Sequence, residues 1–351
     1  MKQPDNQTIL LGVPKVGYGI DGVTPYPICL KALAAYLGQK VEYDTLMVET
    51  CAAFRLTWNT TVWDGGNVDV QHAFDGEESG RVFALGAAAL GREFQMLRRT
   101  SAAKQQFSDF IRCRIDDGFP VIALGIIGPP EACLITGYRD GGDTLIGWNL
   151  FQDYPEYNVG IAFEPSGYFV TSKWWENTDT IALIGIGAQT GTGLTLKEVL
   201  QNAIAVMTGR VSDGHVKGLM AYDAWQASLS DESQFPKEAI FPILAERLMC
   251  HGDAVDCLSD GLYRAHTYFK RLSETRQEHS PLLSQIAAHF EKASGCIMPM
   301  IQRLGGFERG EAEMRELAKP EARKDICALI GQCKGHVQRA YGCMKELYRL
   351  L

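Results

Sequence analysis

Cys29 is the residue whose type and setting most readily suggest chemistry. It follows Tyr26-Pro27-Ile28, and Pro27 suits the first position of a helix, where its missing N–H loses no partner. A cysteine in a first helical turn meets unpaired backbone N–H groups and the positive end of the helix dipole, which favour thiolate over thiol. Thiolate attack on a carbonyl, with an amine or water then releasing the acyl group, would give acyl transfer or amide hydrolysis. Cys29 also shares an apolar stripe with Leu33 and Tyr36, so a buried structural cysteine is the competing reading.

Other residues could bind rather than react. Trp63-Asp64-Gly65-Gly66-Asn67 joins an aromatic ring, a carboxylate and an amide around two glycines, a tight turn with close backbone access. Trp63, Asp64 and Asn67 would line a pocket there; an ordinary Asp-Gly turn beside a packed Trp is the alternative. Arg55 could hold a carboxylate or phosphate bidentately, or simply pair with a neighbouring acid. Gly185-Ile186-Gly187-Ala188-Gln189-Thr190-Gly191 invites a phosphate-loop reading. Its last glycines are one residue too far apart and no strand follows the next helix, so an inter-domain hinge fits better. No metal is expected. The chain has no Cys-x-x-Cys or His-Glu-x-x-His, and Cys327, Cys333, His336 and Cys343 on one helix read as core.

The elements that must position these residues differ between the two halves. Up to about residue 192 the chain is rich in Gly, Pro, Trp and β-branched residues, with short apolar runs bounded by turn signals. The pattern predicts helices over 27–37, 44–53, 81–90 and 102–117, the last stopped by Gly118, and strands over 54–58, 119–127, 168–171 and 180–187. Residues 132–138 and 144–148 are β-rich runs joined by Arg139-Asp140-Gly141-Gly142-Asp143, the signature of a hairpin. After Leu194 nearly everything reads as helix: 195–208, 215–229, 237–249, 254–275, 282–304 and 311–350. The last is broken near Pro320, and Gly209, Gly252 and Gly305 are taken as helix ends.

This layout resembles the papain-like cysteine enzymes, which place a nucleophile at the start of a central helix, a base on a distant strand and an orienting Asn or Asp on the next. Glu131-Ala132-Cys133-Leu134-Ile135-Thr136-Gly137-Tyr138 resembles the His-aromatic-apolar-apolar-apolar-Thr-Gly-Tyr strand of bacteriocin-processing cysteine peptidases. Asn149 falls where that family carries Asp or Asn. A closer likeness is to the N-terminal domain of the butirosin-biosynthesis acyltransferase family. It rests on Pro27-Ile28-Cys29-Leu30-Lys31-Ala32-Leu33-Ala34-Ala35-Tyr36-Leu37-Gly38, Ala52-Ala53-Phe54-Arg55-Leu56 and the Ile135-Thr136-Gly137-Tyr138 strand.

The resemblance implies an α+β papain-like domain over 1–192 with a helical bundle or cap over 193–351. It further implies Cys29, Glu131 and Asn149 as the catalytic group and an acyl carrier protein as donor. Two positions depart from the pattern. Glu131 stands where the basic His is expected, and 18–28 contains no Gln for the oxyanion. A carboxylate is a poor partner for a thiolate because the two negative charges repel. A His displaced in sequence, His72 or His215, would restore a base. Without one, the fold would serve as a binding or regulatory protein for a small molecule or peptide.

Bulk properties bound these readings. The chain has 351 residues, 46% hydrophobic and 22% charged, ordinary for one large or two smaller domains with a sizeable core. With 42 acidic and 34 basic side chains the net charge is −8, which argues against a nucleic-acid or anionic-membrane binder. Ten irregularly spaced cysteines make no disulfide scaffold. The polar start 1–7 lacks a signal-peptide pattern, and no apolar run reaches the roughly 18–20 residues of a membrane span. The expectation is a reduced, cytoplasmic protein without cofactor, whose 311–350 helix offers faces for a homo-oligomer.

Overall fold

The computed structural model describes residues 6–64, 80–212, 214–236 and 241–351. In chain order the elements are β1 (Thr8–Ile9), α1 (Pro25–Tyr36), α2 (Tyr43–Glu49), β2 (Thr57–Asn59), α3 (Arg81–Leu90), β3 (Arg92–Arg98), α4 (Lys104–Asp116) and β4 (Val121–Leu124). Then follow β5 (Ala132–Arg139), β6 (Thr144–Trp148), β7 (Ala162–Phe163), β8 (Phe169–Thr171), β9 (Ala182–Gln189), α5 (Leu196–Thr208), β10 (Val211–Ser212) and β11 (His215–Lys217). The remainder is helical: α6 (Leu219–Ser230), α7 (Phe241–Thr275), α8 (Ser280–Ser294), α9 (Ile297–Leu304), α10 (Glu311–Leu317) and α11 (Pro320–Leu350). The protein is therefore mixed α and β with a helical C-terminal region.

Two units emerge, one of Met1–Leu46 with Gly80–Leu194 and one of Met47–Ser79 with Thr195–Leu351. The segment 47–79, expected with the first domain, thus groups with the helical region. Sequence texture could not reveal this, because β2 finds its partner strand, β11, more than 150 residues downstream.

The first unit holds an antiparallel sheet in the order β3-β9-β4-β5-β6-β8-β7, with β1 also paired to β5. β5 and β6 form the expected hairpin, with Tyr138 opposite Leu145 and Leu134 opposite Trp148. Both α1 and α4 pack on β5. Phe107, Ile111 and Ile115 of α4 meet Cys133 and Ile135 of β5 in one apolar cluster, all within 3% of full burial. Burying each such side chain is worth about 2 kcal/mol, so β5 is firmly anchored in the unit.

Several elements depart from the sequence expectation. β3 was not anticipated; its half-exposed alternation becomes a strand only by pairing with β9. Gly185 and Gly187 lie within buried β9 rather than in a phosphate loop or hinge. A Cβ on Gly185 would sit 3.0 Å from the Phe110 ring, so close packing of α4 explains that glycine. Residues 215–217 are a strand, since His215 pairs with Asn59 across the small β10-β11-β2 sheet. α7 runs unbroken through Gly252, whose missing side chain makes room for the Arg309 guanidinium, 2.6 Å from a would-be Cβ. The 282–304 helix is two helices, α8 and α9, whereas the break before Pro320 falls as expected. α5 starts with a capping box: Glu198 N–H donates to Thr195 Oγ1 at 3.3 Å and Thr195 N–H to Glu198 Oε2 at 2.8 Å. No helix among the described residues is long and apolar enough to cross a membrane.

Candidate functional site

Helix α1 begins at Pro25, two residues before the expected start. Cys29 is therefore its fifth residue. Pro25 and Pro27 carry no N–H, and the Ile28 N–H donates to Thr24 O at 3.3 Å, so this helix start has little to offer an anion. Cys29 is 0% exposed. Burial pushes its thiol pKa well above the ordinary value, and the neighbouring Cys133 and Glu131 push it further in the same direction. The expected dipole activation is thus outweighed by loss of solvation.

Glu131 and Cys133 both lie near enough to Cys29 to act on its thiol. The Glu131 carboxylate accepts a hydrogen bond from the Tyr18 hydroxyl. Burial, then the Glu131 charge, raises the Tyr18 pKa, so the phenol keeps its proton. Tyr18 meets Phe151 edge-on at 5.8 Å, and Phe151 in turn touches Tyr157 at 5.0 Å and Tyr154 at 6.1 Å. The Cys133 thiol is pushed up to about 12 by burial and donates to Gly125 O at 3.5 Å.

Asn149 is 2% exposed and directs its side chain at backbone. Its Nδ2 donates to Gly125 O at 3.1 Å and to Ile127 O at 3.3 Å, and its Oδ1 accepts from Phe151 N–H at 2.8 Å. It thereby braces the loop between β4 and β5, where Ile126 has a φ of 71°. A β-branched residue in that region costs on the order of 1–3 kcal/mol and persists only where the surroundings impose it. Thr180 helps, since its hydroxyl accepts from Ile126 N–H at 3.1 Å. Sequence reasoning missed both Tyr18 and this loop. The signal for Tyr18 was its place between Gly17 and Gly19; a strained isoleucine leaves no sequence mark.

The proposed binding residues belong to the other unit. Asn67 lies outside the described residues, as does His72. Arg55 follows a 3-10 turn, Ala52–Phe54, not the expected strand start. Trp63 is 6% exposed, donates to Gln234 Oε1 at 3.2 Å and meets Trp58 edge-on at 5.3 Å. Asp64 Oδ2 accepts from Asn59 Nδ2 at 2.7 Å and faces His215 Nε2 at 3.2 Å. Cys250 donates its thiol hydrogen to Asp64 O at 2.9 Å, and burial pushes that thiol up to about 12. Beside this group is a cleft of about 200 Å³ lined by Asn59, Thr61, Trp63, Ser228, Asp231 and Gln234. His215, one of the two displaced bases considered, is thus engaged by Asp64.

All seven histidines of the chain lie outside the segments 1–46 and 80–194. Cys29's own unit can supply no imidazole. What it assembles is a neutral thiol, a phenol bonded to a carboxylate, and an amide engaged by backbone and by the Cys133 thiol. Such a set recognises polar groups better than it generates a nucleophile. No group of three or more His, Cys, Asp or Glu that could hold a metal occurs among the described residues. No protein-family model and no curated protein matches the chain.

Proposed function

We propose that the chain is a binding or regulatory protein on a papain-like α+β fold, holding a small molecule or peptide rather than transforming it through Cys29. The observation that carries this reading is the burial of Cys29, 0% exposed with a raised thiol pKa, in a unit without histidine. Support for the fold comes from the order of parts: α1 bearing Cys29 packs on β5, with Glu131 at the head of that strand and Asn149 just after β6. The contact face would be where Tyr18 and Glu131 meet the Phe151, Tyr154 and Tyr157 rings, beside the strained Ile126 loop.

The test is thiol alkylation by iodoacetamide from pH 6 to 9, mapped by peptide, with exposed Cys113 as internal reference. Cys29 should label far more slowly than Cys113 throughout. Preferential labelling of Cys29 at neutral pH would overturn the reading and favour the acyl-transfer enzyme instead.

A further inference from the structure

Helices α8 and α11 pack against each other, and each presents the same pair at the same spacing. α8 carries His289 and Lys292; α11 carries His336 and Arg339. Residues three apart on a helix share a face. The two imidazole rings lie 5.9 Å apart across the seam, tilted by 32°. Arg339 Nη1 lies 3.4 Å from His336 Nδ1; a guanidinium only donates, so His336 accepts at Nδ1 and keeps its proton on Nε2. His289 Nδ1 is buried without a hydrogen-bond partner.

Charge makes this cluster unusual. The chain is acidic, with net charge −8, and several basic side chains of this helical region are answered. Arg264 pairs with Asp260, Arg303 with Glu316 and Asp325, Arg309 with Asp253 and Asp256, and Lys334 with Asp223. Lys292 and Arg339 are exposed and make no ion pair with any described residue. The charged groups acting on His289 are His336, Lys292 and Arg339, and those acting on His336 are Arg339 and Lys292. Partial burial, then these positive neighbours, lowers both imidazoles; no carboxylate offsets them.

We propose that the seam of α8 and α11 binds a phosphate-type oxyanion between His289, Lys292, His336 and Arg339. A doubly charged tetrahedral anion would accept from the ammonium, the guanidinium fork and the imidazole N–H groups. A divalent metal fits less well. Two imidazoles have no third ligand here among the described residues, and two fixed cations repel it. The site is independent of the reading of Cys29.

The experiment follows the imidazole NMR signals of the full chain as sodium phosphate is added at pH 6.5, against sodium chloride of equal ionic strength. Saturable shifts confined to His289 and His336, with His215 and His266 unmoved, are the expected result. Both titration midpoints should rise, since the anion favours the protonated rings. The double variant Lys292→Gln/Arg339→Gln should weaken binding by about ten-fold or more, while Lys292→Arg/Arg339→Lys retains it. Methyl phosphate in place of phosphate separates sources: tighter binding assigns a phosphorylated small molecule, weaker binding the free anion. Absence of a saturable shift by about 50 mM phosphate, equal shifts in the double glutamine variant, or a response to micromolar zinc instead would each overturn the proposal.

Discussion

Glu49, the last residue of α2, offers a sharp test of the electrostatics of the helical unit. Burial raises its carboxyl pKa from 4.5 to about 7, against the opposing pull of the Tyr268 hydroxyl and the Arg271 charge. The folded state thus holds a proton that the unfolded chain releases near pH 4.5. Between those two values the unfolded state binds fewer protons, so stability falls as pH rises, and the loss is complete once pH passes about 7. A shift from 4.5 to about 7 at about 1.4 kcal/mol per unit corresponds to about 3 kcal/mol, trimmed toward ~2 by Glu49's residual exposure. Glu49→Gln removes the titration while keeping an acceptor for Tyr268. Urea unfolding at about pH 4 and about pH 8 should show the two proteins nearly equal at the lower pH. At the higher pH the variant should be more stable by about 2–3 kcal/mol. Parallel stability–pH curves for wild type and variant would refute the reasoning, because the carboxylate would then be ionised equally in both states.

Other outcomes follow from the Asn149 brace and its loop. Asn149→Ala strands the Phe151 N–H and the Ile127 carbonyl and leaves Gly125 O to the weak Cys133 thiol donor, at a cost of about 2–4 kcal/mol in urea unfolding. Asn149→Asp should be at least as damaging, because it sets a carboxylate against two carbonyl oxygens; an Asp tolerated there would indicate the orienting role that the family resemblance implies. Gly125→Ala should yield little folded protein by circular dichroism. Its φ is +95° and a Cβ would stand 2.1 Å from Asp179 O, a backbone collision that no rotamer relieves.

Much of the local structure was legible because it depends on near neighbours in the chain. The β5–β6 hairpin follows from two β-rich runs around a Gly-containing loop, and α3 over Arg81–Leu90 from an apolar, alanine-rich run. Pro320 starts α11 because proline costs nothing in a first turn. The signals that failed were those whose partner is remote. β3 exists by pairing with β9, and Gly252 passes for a helix end until Arg309 is seen to occupy the space beside it. His215 reads as helix until β2 pairs with it.

For the candidate site the division is the same. Sequence alone determined which residues are present: a cysteine after two prolines, a glutamate at 131 where the resemblance would expect a histidine, and no histidine in 1–46 or 80–194. It also brought Cys29, Glu131 and Asn149 to notice through their places in the succession of elements. Only the tertiary structure decided what they do. Whether a helix start activates a thiol depends on the balance between the dipole and lost hydration, and hydration is set by what packs against the helix. Here α1 packs on β5 with Cys29 at 0% exposure, Tyr18 takes the Glu131 carboxylate, and Asn149 turns to the backbone of a strained loop. The first two outcomes come from contacts more than 100 residues apart in the chain, and the third from carbonyls across the β5–β6 hairpin, on the loop before β5; no local pattern encodes either.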